Sequence, residues 1–433
     1  MVEDGRFGPT TGTSVRRCGA MMSAGEDGTA RWPASWPWLD RTLAKPLGEK
    51  VATLAVIGFI FYLSLILLDN FVLRPYFGDV IGYPEDLSAY RERAQAILDG
   101  QIPYRDFHSE SPPLIMYLFV IPQALGGDIW IYQLYFSAFS VLTACAIYYG
   151  LRRFDDRLAF LSGLLYFCLP FGIIEIPMGA QDEAITLLFF LLPLLLLLNN
   201  KVTASAFGVA IGALSKLFNV LVFPWMLIRA GTGKDRTRLL STVMLIGVAF
   251  VVPFLILAPE EFLNFPRYYL LGNPDYPTGG SSISPWHFLK QSGLDIPGWG
   301  GVAMTLGAIF GSTYLAYRWK LTLWEGSLFV MVAFFLFYPK ILFVFFLMPV
   351  ALMIPWAIED RRVMLRIMAM ALPLFLAVSF SGNGMDPMTD ASWGWVVSLL
   401  LSLAGWVLFL QAWFLTRGRR CFIDRERSAI SKE

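Results

Sequence analysis

The sequence predicts an all-α polytopic membrane protein, a bundle of about 10–13 transmembrane helices. Three observations carry this. The chain has 433 residues, of which 56% are hydrophobic. Only 15% are charged, against a usual share of about 25%. Apolar runs near the ~20-residue length that crosses a bilayer recur from residue 51 to residue 415. The formal net charge of +1 gives no reason to expect a nucleic-acid partner.

The chain divides into a tail at 1–50, a membrane domain at 51–416 and a tail at 417–433. The first fifty residues have no apolar run of the signal-peptide kind and mix Gly, Ser, Thr and both charge signs. They are expected to be disordered and cytoplasmic. The first span is placed at about 51–73. A polar stretch follows from Tyr83 to Tyr104 and reads as a short helix. Pro84 suits a first helical position, Glu85 and Asp86 fall in the first turn, and Gly100 ends it. Leu87, Tyr90, Ala94, Ile97 and Leu98 recur at helical spacing. The helix is too short and polar to cross, so it is expected along the membrane surface with its apolar face on lipid. A Pro-rich turn and a short apolar helix at 114–125 complete a first outer loop, 74–128.

Further spans are expected at about 129–151, 158–177, 184–198, 239–258, 302–317, 323–337, 341–356, 364–380 and 393–415. Between them, residues 204–225 carry Lys216 at mid-run and have basic residues on both sides. Positive charge concentrates in cytoplasmic loops. The piece therefore reads as a hairpin with Lys216 near its outer tip. The same rule puts Arg152, Arg153, Arg157, Arg318, Lys320, Arg361, Arg362, Arg366 and Arg417 inside, with both termini cytoplasmic. The long loop 259–301 falls outside. The outer side then collects Glu85, Asp86, His108, Glu110, Glu175, Asp182, Glu183, Arg267, Asp275, His287 and Lys340. Of these, Asp182 reads first as a helix N-cap. No cysteine faces outside, and no metal-ligand or phosphate-loop spacing is present.

The opening segment resembles the integral-membrane glycosyltransferases of the GT-C superfamily, and among them the polyprenol-phosphate-mannose-dependent mannosyltransferases. The resemblance rests on Asp86, Tyr90, Gly100-Gln-Ile-Pro-Tyr104 and Ser111-Pro-Pro-Leu-Ile-Met-Tyr117. Weaker echoes are Gly179-Ala-Gln-Asp182, Gly212-Ala-Leu-Ser-Lys216 and Tyr338-Pro-Lys340. The Tyr-Pro-Pro turn of many members is Glu110-Ser-Pro-Pro here. The resemblance implies a GT-C-like bundle with amphipathic juxtamembrane helices in the first outer loop. It implies transfer of a hexose, mannose-like, from a polyprenyl-phosphate donor to a lipid, glycan or protein acceptor at the outer face of the plasma (inner) membrane.

In an inverting displacement a base takes the acceptor hydroxyl's proton, and cations meet the departing lipid phosphate. Asp86 is the expected base, with Glu85 beside it. Lys216, Arg267, His287 and Lys340 compete for the phosphate. Tyr104 and Trp286 are expected to line the sugar or lipid pocket. No cofactor is implied, and a divalent metal is left open. Two other readings are a transporter or flippase of lipid-linked sugar and an oligosaccharide polymerase. The first needs ionisable groups deep in several spans. The second is expected to carry arginine-rich outer loops.

Overall fold

A computed structural model describes residues 36–81, 85–271, 282–293, 298–380, 392–419 and 421–423. Among them every regular element is a helix. Five helices are long and apolar enough to cross a membrane: Leu47–Phe77, Ile129–Leu151, Gly233–Leu257, Arg361–Phe380 and Gly394–Thr416. Two further apolar helices, Asp156–Phe167 and Pro170–Met178, meet at 49° and make a sixth crossing if they span as one. Pro170 opens its second half, where a missing N–H costs nothing. Six further apolar helices are shorter, 10–17 residues each. The chain is thus an all-α polytopic membrane protein, but many of its apolar segments are too short to cross as straight helices.

The two classes differ in what surrounds them. Gly233–Leu257 exposes Met244, Leu245, Val248 and Ile256 on an apolar outer face. Glu183–Leu198 is buried along most of its length. Breaks at membrane depth are tolerated where protein, not lipid, covers the freed backbone. The short helices supply that cover for one another. Glu183–Leu198 packs on Ile129–Leu151 and Val202–Ser215, and Leu323–Phe337 and Leu347–Ala357 complete the centre. Trp225 locks this core. Its indole Nε1 donates to the Leu323 carbonyl at 3.0 Å. Its ring lies where a Cβ on Gly326 would stand, 2.2 Å from the nearest ring atom.

Polar contacts sort the loops onto two ends. At one end Lys50 meets Asp156 at 2.6 Å and Arg157 meets Asp40 at 3.5 Å. Asn199 donates to the Gly150 carbonyl at 2.9 Å, and Arg419 pairs with Asp360. Two capping boxes, Thr232 with Asp235 and Thr322 with Glu325, start helices that run away from basic loops. At the other end Arg74 pairs with Asp69 at 2.7 Å and Lys216 with Asp182 at 2.9 Å. Ser284 Oγ there donates to the Tyr338 carbonyl at 2.9 Å.

Three expectations change. Order begins before residue 50, because Pro37–Leu43 is helical and the first span starts at Leu47. That span continues to Phe77, 31 residues. At ~1.5 Å per residue it is about 46 Å long, well beyond a ~30 Å hydrocarbon core. The surface helix Glu85–Leu98 turns its apolar side to protein, not lipid. Leu87, Tyr90 and Ala94 are buried, and Tyr90 stacks on Phe119 at 4.3 Å. Leu98, counted on that face, is exposed.

Gly326→Ala is expected to lower the melting temperature in detergent, since the Trp225 ring is held by its hydrogen bond and overpacking costs about 1–3 kcal/mol. Gly247→Ala, with nothing within 4 Å, is expected to leave it unchanged or raised.

Candidate active site

Five stretches of the sequence converge on one cavity of about 240 Å³. The surface helix supplies Asp86, Tyr90 and Arg93. The start of Glu183–Leu198 supplies Asp182 and Glu183, and the hairpin break supplies Lys216. Lys340 and Phe345 close the far side, and Glu110 and Ser111 the near side.

Each part is positioned by local structure. The surface helix ends in a Schellman motif. Gln101 N donates to the Ala96 carbonyl and Gly100 N to that of Ile97, with Gly100 at φ +82°. The chain then closes a small loop, Tyr104 N donating to the Phe107 carbonyl at 3.0 Å. Asp106 accepts from Ile102 N at 2.8 Å, and its partner Arg105 holds the Asp106 carboxyl down to about 2. Tyr104 has φ +67°, a left-handed conformation that side chains with a Cβ rarely adopt. Its hydroxyl donates to the Ser111 carbonyl at 2.5 Å, which sets the Pro-rich turn at the cavity wall. Ala180, at φ +50°, makes the matching bend before Asp182. Strain of this kind gathers at sites that must hold an exact geometry.

The hairpin break is fixed by close packing. A Cβ on Gly212 would stand 3.0 Å from the Phe189 carbonyl and 2.9 Å from the Asn219 Cβ. This close approach brings Lys216 to the start of the neighbouring helix. Lys216 itself is extended, at φ −158° and ψ 134°, which ends the helix Val202–Ser215. Its Nζ lies 2.9 Å from Asp182 Oδ1 and 2.5 Å from Glu183 Oε1. Asp182 also accepts from the Tyr90 hydroxyl at 3.3 Å. Burial, reinforced by the Asp182 charge, pushes the Tyr90 phenol well above its usual value, so it stays a neutral donor.

Behind the cavity a second buried network holds the same elements. Asp69, 1% exposed, accepts from Arg74 at 2.7 Å and Gln133 at 2.6 Å. Arg74 also donates to the Met178 carbonyl at 2.6 Å. This ties two π-helical turns, Asp69–Leu73 and Ile174–Met178, at the approach to Asp182.

The cavity therefore brings together Asp86, Lys216 and Lys340, three of the residues singled out from sequence. Glu85 opens the surface helix, and its side chain lies outside the described residues. Asp275 also lies outside them. Arg267 is exposed on Pro259–Leu271 and does not line the cavity. His287 is buried on Pro285–Gln291, its ring edge-on to Phe288 at 5.6 Å, and does not line the cavity either. Tyr104 sits among Phe254, Phe262 and Phe265 instead of at a pocket. Trp286 donates to the Leu336 carbonyl at 2.7 Å and stacks on Phe337. The segment around His287 has a different use. Ile283 N donates to the Ile341 carbonyl at 2.8 Å, which holds the strip carrying Lys340. Asp182 occupies the N-cap position but makes no capping bond, its carboxylate being turned to Lys216 and Tyr90. Sequence reasoning missed Arg93, Glu110 and Glu183 as cavity residues. The one available signal for Glu183 was its place beside Asp182 before an apolar run. Among the described residues no group of three or more His, Cys, Asp or Glu is placed to hold a metal ion.

No protein-family model and no curated protein matches the chain. Among solved structures it is similar to the oligosaccharyltransferase of Archaeoglobus fulgidus in its apo form, at 13% identity and a TM-score of 0.39. The match covers 84% of this chain and 55% of that one, so this chain spans about half the length of that enzyme.

Lys216→Met leaves two buried carboxylates facing one another. It is expected to destabilise the protein by about 3–5 kcal/mol, read as a large drop in melting temperature. Lys340→Met, at a half-buried position, is expected to move it far less.

Proposed function

We propose that this protein is a GT-C-type glycosyltransferase that moves a mannose-like hexose from a polyprenyl-phosphate donor to an acceptor at the outer membrane face. The observation that carries the reading is one cavity lined by Asp86, Lys340 and the Lys216–Asp182–Glu183 cluster together. It joins the residues of the sequence resemblance, Asp86, Tyr90, Asp182, Lys216 and Lys340, which the chain separates by up to 254 positions (340 − 86).

The mechanism follows from the charges. Asp86 takes the proton from the acceptor hydroxyl as its oxygen attacks the anomeric carbon, and the polyprenyl phosphate leaves with inversion. A phosphate ester leaves with its own negative charge and needs no acid, only cations to receive it. Lys340 is the proposed phosphate partner. Lys216 has another task. With two carboxylates at 2.9 and 2.5 Å it holds the cavity floor in place and leaves the phosphate to Lys340 and to Arg93, which also pairs with Glu110 at 2.8 Å. Tyr90 holds Asp182 from the other side.

Transport is the weaker reading. A conducting path needs ionisable groups spaced through the membrane. Here the ion pairs among the described residues collect toward the ends of the bundle, around Asp69, Asp182 and Lys216 at one and Asp156 and Asp360 at the other. On the loop charges, the end bearing the cavity is outside and both termini are cytoplasmic.

The test is transfer from labelled polyprenyl-phosphate-mannose by purified protein. Asp86→Asn is expected to lower kcat by about 10²–10⁴ with the donor KM little changed. Full turnover by that variant removes Asp86 as the base. If Asp182→Asn alone abolishes turnover at wild-type melting temperature, the base is Asp182. Substrate movement in liposomes without any transfer supports the transporter instead. A topology reporter fused after Asp128 is expected to read outside.

A further inference from the structure

A second cavity, about 540 Å³, lies on the other side of the surface helix. It shares Ala89 and Arg93 with the first and no other lining residue. The helix forms the partition. Asp86 and Tyr90 line the first cavity alone, and Glu92, Ala96 and Asp99 the second alone. The dividing side chains touch one another in series. Arg93 meets Glu110 at 2.8 Å, and His108 of the second cavity lies 3.6 Å from Glu110 and 3.4 Å from Glu261.

The lining of the second cavity is polar: carboxylates at Glu92 and Asp99, amides at Gln95 and Gln101, one imidazole and one aromatic face, Phe107. Its volume falls within the ~300–1,000 Å³ range of small-molecule sites. Paired carboxylates and amides match a ligand with many hydroxyls, each both donor and acceptor. Phe107 offers a flat surface for a sugar's C–H face. A lipid acceptor needs an apolar channel, and these lining residues do not make one. Two carboxylates against one arginine disfavour an anionic ligand.

Resting on the transferase reading above, we propose that this second cavity is the acceptor subsite, taking a neutral polyhydroxylated glycan whose reactive hydroxyl passes Ala89 to reach Asp86. Donor and acceptor then lie on adjacent faces of one short helix, which meet along Ala89 and Arg93. The base lines the first cavity at the helix's N-terminal end, one turn before Ala89, which lines both. The small side chain of Ala89 leaves the partition low at that point.

The test uses octyl α-D-mannopyranoside as acceptor probe with wild-type protein, Ala96→Trp and Glu92→Gln. Ala96 lines only the second cavity, so the indole fills it, and Glu92 is exposed, so its isosteric change spares the fold. Both variants are expected to raise the acceptor KM, Ala96→Trp by about tenfold or more, with the donor KM unmoved. Octyl β-D-glucuronide is expected to be a poorer acceptor than the mannoside. A diazirine-bearing octyl mannoside, photolysed without donor, is expected to label residues 92–108, and Ala96→Trp is expected to lose the label. Labelling around Lys340, or scattered over lipid-facing helices, overturns the assignment. So does an acceptor KM unmoved in both variants. Transfer that proceeds with Ala96→Trp indifferent rejects this subsite and keeps the transferase. Labelling at 92–108 without transfer from any donor keeps the sugar site and rejects the transferase.

Discussion

One buried cation organises the cavity end of this protein. Lys216 Nζ lies between Asp182 and Glu183, and all three side chains are largely shielded from water. Moving such charges out of water costs several kcal/mol each, which attraction offsets only when the geometry is tight. The arrangement therefore constrains everything around it. The hairpin must break at Lys216, the adjacent helix must begin at Asp182, and Gly212 must lack a side chain so that the two approach. The Arg74–Asp69–Gln133 network, fastened to the Met178 carbonyl, holds the preceding segment from behind.

What could be read from the sequence, and what could not, follows from the range of the interactions. Apolar runs, the Schellman end at Gly100 and the hairpin around Lys216 are local signals, and they are legible. The apolar face of the surface helix was legible too, but its partner was not. Phe119 and Phe136, which cover Tyr90, look like any lipid-facing aromatics. Tyr104 stood out as an aromatic beside a turn, yet its left-handed backbone is invisible in the sequence, where only glycine advertises such a conformation. The ion cluster joins positions 33 and 34 residues apart. Nothing short-range announces it, so Asp182 read as a cap and Lys216 as a phosphate ligand.

Short helices have the same origin. A rule built on the ~20 residues needed to cross a bilayer counts spans by length. Glu183–Leu198 and Val202–Ser215 fall below it and are still apolar, because protein encloses them and their ends need not reach water. Their early ends open the room in which the cavity forms. A bundle of uniformly long helices would carry its charged loops beyond the membrane surface and leave no recess near the lipid.

Under the proposed transfer, the charge arrangement also separates the two carboxylates that would compete as base. Asp182 Oδ1 accepts from both Lys216 and Tyr90. Taking up a proton there would weaken two charge-assisted contacts, at a site where unpaired charge is costly. Asp86 stands exposed at the start of its helix, beside the partition between the two cavities. There water has access to the carboxylate. A base has to be released as readily as it is loaded. By that criterion the exposed helix end suits the proton transfer, and the buried triad suits the fixed floor against which the donor is held.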